Sequence, residues 1–180
     1  MGIRDVLTKL THGRLAVCTR VPESGGRGRT LGVVEDEKAR ARRERGELSV
    51  ARGKWGEDMA AAYLGKRGMM VVGRNVRPCV GDRRCEIDLI VQTKDARTVI
   101  FVEVKTHCRR SERASRLWCI DKRKRGILLK ACTNWILRNK WHGNFRFDVI
   151  EVYGVPEGAQ GPEIDHIENV HLFPAKWRFW

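Results

Sequence analysis

The stretch EIDLIVQTKDARTVIFVEVK, residues 86–105, decides the fold. Two runs rich in Val and Ile flank Lys94-Asp95-Ala96-Arg97, which reads as the turn of a β-hairpin. A hairpin centred on that turn sets Asp88 opposite Glu103 and Glu86 opposite Lys105. Side chains alternate across a strand, so these four project to one side. Ile87, Leu89 and Val91 then meet Val102, Val104 and Ile100 on the other side, which reads as the core face. Two acids directly opposite each other repel. Protonation of one carboxyl, a shared cation or pairing with Lys105 would each relieve the repulsion. A solvated sheet face would also carry Glu and Lys cross-pairs. Ile90, Val99 and Phe101 lie on the same side as the acids, however, and so apolar a face implies a covered one with the charges in a cleft at its end.

Before the hairpin, GKWGEDMAAAYLGKRG (53–68) places Trp55, Met59, Ala62 and Tyr63 on one helical stripe that closes at Gly68 as a C-cap. MMVVGRNVR (69–77) reads as a strand and PCVGDRRC (78–85) as a loop. After it comes a basic connection, HCRRSERASRLW (107–118). An amphipathic helix follows over 120–140, with Asp121 as N-cap and Ile127, Leu128, Ala131 and Trp135 at helical spacing. FRFDVIEVYGV (145–155) is a further strand, and IDHIENVHLF (164–173) a last strand or short helix. Residues 1–50 are rich in Gly, Arg and Glu and lack an apolar face. They read as a basic, mostly disordered extension, with a short helix around Val6 and Leu10 and a second, charged one near 35–47. The expected organisation is therefore an extension over 1–50, a domain over 51–173 and an aromatic, basic tail over 174–180.

The 180 residues carry 36 Lys and Arg against 22 Asp and Glu, a formal charge of +14. Such a charge attracts polyanions, nucleic acid first among them. No run of 18 apolar residues exists to span a bilayer, and charges interrupt the N-terminus throughout, so a cytoplasmic location without a membrane is expected. The six cysteines form no CxxC pair and read as reduced thiols. Cys79, Cys85, His107 and Cys108 match no zinc spacing.

Two acids with a nearby lysine in a strongly basic chain suit phosphodiester hydrolysis. A hard cation, Mg²⁺ or Mn²⁺, fits carboxylate oxygens and lowers the pKa of bound water. A lysine beside it orients that water or stabilises developing negative charge. Arg109, Arg110, Arg113 and Arg116, then Lys122, Arg123, Lys124 and Arg125, flank the cleft as candidate phosphate contacts. A solubilising surface is the plain alternative for these runs.

The ordered set Gly53, Gly56 and Glu57, then Tyr63 and Leu64, Arg74 and Asn75, EIDLI (86–90), FVEVKT (101–106), Lys122 and RFDV (146–149) resembles the YraN family, over about residues 53–172. That family is similar to archaeal Holliday-junction resolvases, and Asp88 with Glu103-Val104-Lys105 looks like the D…ExK signature of restriction-endonuclease-like nucleases. The resemblance implies an α/β fold with a central mixed sheet flanked by helices. It implies Asp88, Glu103, the Val104 carbonyl and Glu57 as metal ligands, and Lys105 as the catalytic lysine. It leaves Glu86 as a partner of Lys105, and suggests DNA, branched or structured, as substrate. A homodimer would suit paired incisions. Cys85 replaces a glycine usual before EIDLI, and the segment after EVKT departs from the family's Gly and Pro pattern. The competing readings are a nuclease-fold protein that binds nucleic acid without cutting it, and a basic adaptor that engages a protein partner.

Overall fold

The structure, a computed structural model, describes residues 31–110, 121–158, 161–174 and 177, with side chains from residue 37 onward. The chain divides into two compact units, Met1–Ala39 and Arg40–Trp180. In the first, only the helical residues 31–39 are described. The expected helix around Val6 and Leu10, and Arg113, Arg116 and Trp118, lie outside the described residues.

The second unit is an α/β layer structure built on a mixed sheet of five strands, in the order β1-β2-β3-β4-β5. These are β1 (Met70–Val76), β2 (Ile87–Gln92), β3 (Thr98–His107), β4 (Asn144–Tyr153) and β5 (Glu163–Ile167). Pairing is antiparallel except between β3 and β4, which run parallel from Thr98–Asn144 to His107–Tyr153. Parallel neighbours need a crossover, and α2 (Lys122–Arg138) lies in it. The hairpin register is the one read from the sequence: Leu89 faces Val102, Ile90 faces Phe101 and Gln92 faces Val99.

Both faces of the hairpin are buried, the one with Leu89 and Val102 and the one with Ile90, Val99 and Phe101 that the sequence implied was covered. Leu89, Val91, Ile100 and Val102 pack with Ala60, Ala61 and Leu64 of α1 (Leu31–Lys66). Ile90, Val99 and Phe101 pack with Leu128, Ala131, Cys132 and Ile136 of α2, and Trp135 meets the Phe101 ring edge-on at 5.5 Å. Ile87 joins this second cluster, although simple alternation places it with Leu89. Helices on both faces explain why β2 and β3 read as nearly continuous apolar runs.

α1 runs from Leu31 to Lys66 and so passes through the boundary expected at residue 50. Residues 37–51 are exposed. Their Ala, Arg, Glu and Lys content favours a helix without any buried face, helped by an Arg40–Glu44 pair at 3.0 Å. The buried stripe is Ala60, Ala61 and Leu64, while Ala62 is exposed, one position off the expected stripe. The helix ends as predicted at Gly68, with φ +79°. Met69 N–H donates to the Leu64 carbonyl and Gly68 N–H to that of Gly65, a Schellman closure. In the tail, Trp177 packs against Phe173 at 5.9 Å. Among the described residues, no helix is long and apolar enough to cross a membrane.

Gly56 sets how closely α1 approaches the sheet. A Cβ built on it would lie 1.9 Å from Thr106 Oγ1, at the end of β3. A threonine side chain is short and branched at Cβ, so it cannot move aside cheaply. Gly56→Ala is therefore expected to destabilise the protein by about 2 kcal/mol despite alanine's better helix propensity. Gly53→Ala, with nothing within 4 Å of the added carbon, is expected to stabilise it slightly. Thermal melting of the two variants should move in opposite directions; parallel shifts would mean that the close approach is not what fixes the helix.

Candidate active site

The hairpin ladder stops at Leu89–Val102. Continued by one residue, it sets Asp88 opposite Glu103. Here the carboxylate of Asp88 takes over from the ladder: its Oδ2 accepts the Val104 N–H at 2.8 Å. Glu103 is almost wholly buried, with 2% of its surface exposed. Its Oε1 lies 2.6 Å from Lys105 Nζ and 3.2 Å from Lys124 Nζ. Its Oε2 is buried and has no hydrogen-bond partner.

The two acids remain a strained pair. Burial and then the charge of Glu103 push Asp88 up to about 7, against the opposing pull of the Val104 N–H and the Lys124 ammonium. Glu57 on α1 adds a smaller push in the same direction, so its charge also bears on this cleft. Glu57 is oriented by Asn75, whose Nδ2 donates to Glu57 Oε2 at 3.0 Å. Asn75 sits in β1 with φ +49°, a conformation asparagine tolerates better than most residues. Arg74 beside it binds Asp58 at 2.5 Å. The Arg-Asn pair thus clamps the α1 residues 57 and 58 to β1.

The sequence-predicted residues sort into three groups. Asp88, Glu103 and Lys105 come together as expected, with Glu57 close enough for its charge to act on Asp88. Glu86 does not pair with Lys105. The ladder has ended before it, and its Oε2 binds Arg77 at 2.6 Å. Among the basic residues, Lys122 and Arg123 are exposed at the start of α2 and Arg109 is exposed just beyond β3. Arg110 is instead engaged by Glu163 at 2.5 Å and Asp165 at 2.9 Å and lies 4.8 Å over the Tyr153 ring. Its charge is already countered, so it is a poor phosphate contact.

Lys124, expected among the phosphate contacts, reaches into the cleft to Glu103. Asp121 caps α2 by accepting the Lys124 N–H at 2.7 Å, which fixes where that side chain begins. The first turn of α2 carries no acid, so the positive end of the helix and its lysines point the same way electrostatically. The Lys124 contact could not be read from spacing, because it joins residues on separate elements. Two further acids, Asp148 and Glu151, are buried in β4. Asp148 accepts from Arg146 at 3.0 Å, from the Asn169 N–H at 2.8 Å, and lies 2.9 Å from His166 Nε2. Glu151 accepts from the Tyr153 hydroxyl at 2.7 Å. Burial, with Glu151 beside it, pushes the Tyr153 phenol up to about 12. Cys85 is fully buried. Burial and its neighbour Cys79 push its thiol up to about 12.

Among the described residues, no three His, Cys, Asp or Glu side chains gather closely enough to hold a metal by themselves. The donor set on β2 and β3 is two carboxylates, with the main chain of Val104 between Glu103 and Lys105. A hard cation takes carboxylate and backbone oxygens alike. The buried, unpartnered Oε2 of Glu103 suits such a cation.

An α/β chain with a five-stranded mixed sheet flanked by helices is consistent with a restriction-endonuclease-like core. The sequence profile described as Uncharacterised protein family UPF0102 matches residues 56–152, and the chain belongs to that family. It is 35% identical over 116 residues to a UPF0102 protein of Vibrio cholerae, spanning 63% of this chain and 85% of that one. It is 38% identical over 115 residues to one of Corynebacterium efficiens, spanning 64% and 87%. With one of Pelobacter propionicus it shares 36% identity over 118 residues, 65% of this chain and 79% of that one. The matched segment 56–152 contains Glu57, Asp88, Glu103, Lys105 and Lys124.

Proposed function

We propose that this protein is a metal-dependent endonuclease that hydrolyses phosphodiester bonds in DNA, with branched or structured DNA as its substrate class. The observation that supports it most is the pair Asp88 and Glu103, held side by side where the β2–β3 ladder ends, with Lys105 at 2.6 Å and one Glu103 oxygen buried without a partner. Asp88, Glu103 and the Val104 carbonyl would hold Mg²⁺ or Mn²⁺, with Glu57 as a further ligand through water. When bound, the cation polarises the scissile phosphate and lowers the pKa of its water. Lys105 keeps its ammonium beside Glu103, where it can orient the attacking water and stabilise charge that builds on the phosphate. Lys122 and Arg123 at the start of α2, and Arg109 beyond β3, hold the polyanion without reading sequence.

A second reading, binding without cleavage, draws on the two lysines that already occupy Glu103 Oε1. The deciding experiment is cleavage of a synthetic four-way DNA junction, with linear duplex, single strand and an RNA hairpin alongside, in Mg²⁺, Mn²⁺ or EDTA. Cutting that requires metal and is lost in Asp88→Asn and Lys105→Ala supports the nuclease. Binding that neither variant alters, without any cutting, overturns it.

The basic residues make a separate prediction. Arg123→Ala is expected to flatten the dependence of log affinity on log salt by about 0.9, one phosphate contact. Arg110→Ala is expected to leave that slope unchanged, because Glu163 and Asp165 already hold its guanidinium. Fluorescence anisotropy over a salt series measures both; equal slopes for the two variants would contradict this division.

A further inference from the structure

Glu103 is served by two ammonium groups at one oxygen. Lys105 and Lys124 converge on Oε1 from 2.6 and 3.2 Å, while Oε2 stays buried and unpartnered. The two lysines are not equivalent. Lys105 lies two residues along β3 from Glu103 and on the same face, so its stem stays beside the carboxylate even when its ammonium turns to water. Lys124 reaches over from the first turn of α2, a separate element, and a third of its side chain is exposed. A flexible four-carbon stem with water on one side can swing its ammonium out of the cleft without moving the backbone. Lys122 and Arg123, exposed on the same turn, mark the direction in which an anion would be met.

We propose that Lys124 is a positioning residue that holds the place of the divalent cation on Glu103. When the cation enters, Lys124 gives up the carboxylate oxygen and takes a phosphate oxygen of the nucleic acid. The inference rests on the nuclease reading above. Its physical basis is repulsion across one carboxylate: a divalent cation on Oε2 would lie within a few ångströms of the ammonium on Oε1, and the two positive charges repel each other. A released lysine next to bound metal then meets substrate with its charge unspent. Cation and nucleic acid would therefore bind cooperatively, each favouring the arrangement the other needs.

The test is Mn²⁺ titration of the full chain without nucleic acid, by calorimetry or by the paramagnetic signal of free Mn²⁺. Lys124→Met is expected to bind Mn²⁺ roughly five- to tenfold more tightly than wild type, the size of an ordinary coupling between contacting charges. Lys124→Arg keeps the charge and is expected to stay within about twofold. Lys94→Met, in the exposed hairpin turn, removes the same charge at a distance and is expected to change affinity by less than about twofold. Lys124→Gln serves as a second neutral variant should the methionine alter the fold. Unchanged or weaker Mn²⁺ binding in the neutral variants overturns the inference, and so does an equal gain in Lys94→Met. In either case Mn²⁺ binding that Glu103→Gln abolishes would leave the nuclease reading standing. Wild-type protein with no Glu103-dependent Mn²⁺ binding would overturn that reading, and this inference with it. The second half is read with Ca²⁺, which is expected to tighten junction binding by wild type and not by Lys124→Met; no tightening in wild type, or equal tightening in both, would overturn the handover.

Discussion

Cleavage by Glu103→Gln is expected to fall by about three orders of magnitude or more, while the protein stays folded. The carboxylate is nearly isosteric with the amide, so packing around this buried position changes little. What goes is the charge that faces the cation and that Lys105 and Lys124 share. A glutamine carbonyl could still accept one lysine hydrogen bond, but it cannot neutralise two ammonium groups and a metal ion. The loss of charge also removes the repulsion that weighs on Asp88. Both lysines are partly exposed, at 28% and 33%, and can turn to water. The melting temperature at pH 8 should therefore be no lower than that of wild type. Metal-dependent cutting by Glu103→Gln at the wild-type rate would mean that the cleft is not the active site.

Asp88→Asn is expected to stabilise the metal-free protein at pH 8 and to make little difference at pH 4. Asp88 titrates near 7 in the folded protein against about 3.8 for a free side chain. Between those values the folded chain keeps a proton that the unfolded chain has lost. Stability from this group is thus fully present below about pH 4 and is lost as pH rises through 7. The gap between the folded and free values sets a ceiling of about 4 kcal/mol. The asparagine carbonyl can keep the Val104 N–H bond, so the variant escapes the cost of ionisation without losing the contact. Thermal melts from pH 4 to 8 should show the two proteins diverging as pH rises, and convergence at high pH would contradict the cause given. Mn²⁺ should then reverse the order at pH 8, raising the melting point of wild type and not of Asp88→Asn. Cation affinity and cleavage in wild type should climb through the same pH range, because the ligand must shed its proton first.

The parts of this site that follow from strand geometry were legible in the sequence. A short turn fixes register, and register alone brings Asp88 beside Glu103 and puts Lys105 next in line. The Glu86–Lys105 pairing failed because it extends a ladder past the point where Asp88 breaks it. Lys124, Asn75 and Arg110 act on residues 18 to 55 positions away, across contacts that only the folded chain creates. Charge composition could say that Arg110 was basic, not that two acids of β5 would claim it. Likewise, the charged helix expected near 35–47 is present, but a run of Arg, Glu and Ala without an apolar face does not show that it continues unbroken into the helix of 53–68. Buried acids such as Asp148 and Glu151 are hidden for a related reason: what makes them tolerable in a core is a set of partners on neighbouring strands.

The amide of Val104 offers a use of its own. Its proton is bonded to a side-chain carboxylate. That carboxylate is the one whose charge changes near neutrality. In a ¹⁵N-labelled sample, a single backbone resonance in the middle of the chain would therefore move with protonation of Asp88 and again with cation capture. The cleft carries a built-in indicator of its own state, readable before any substrate is known.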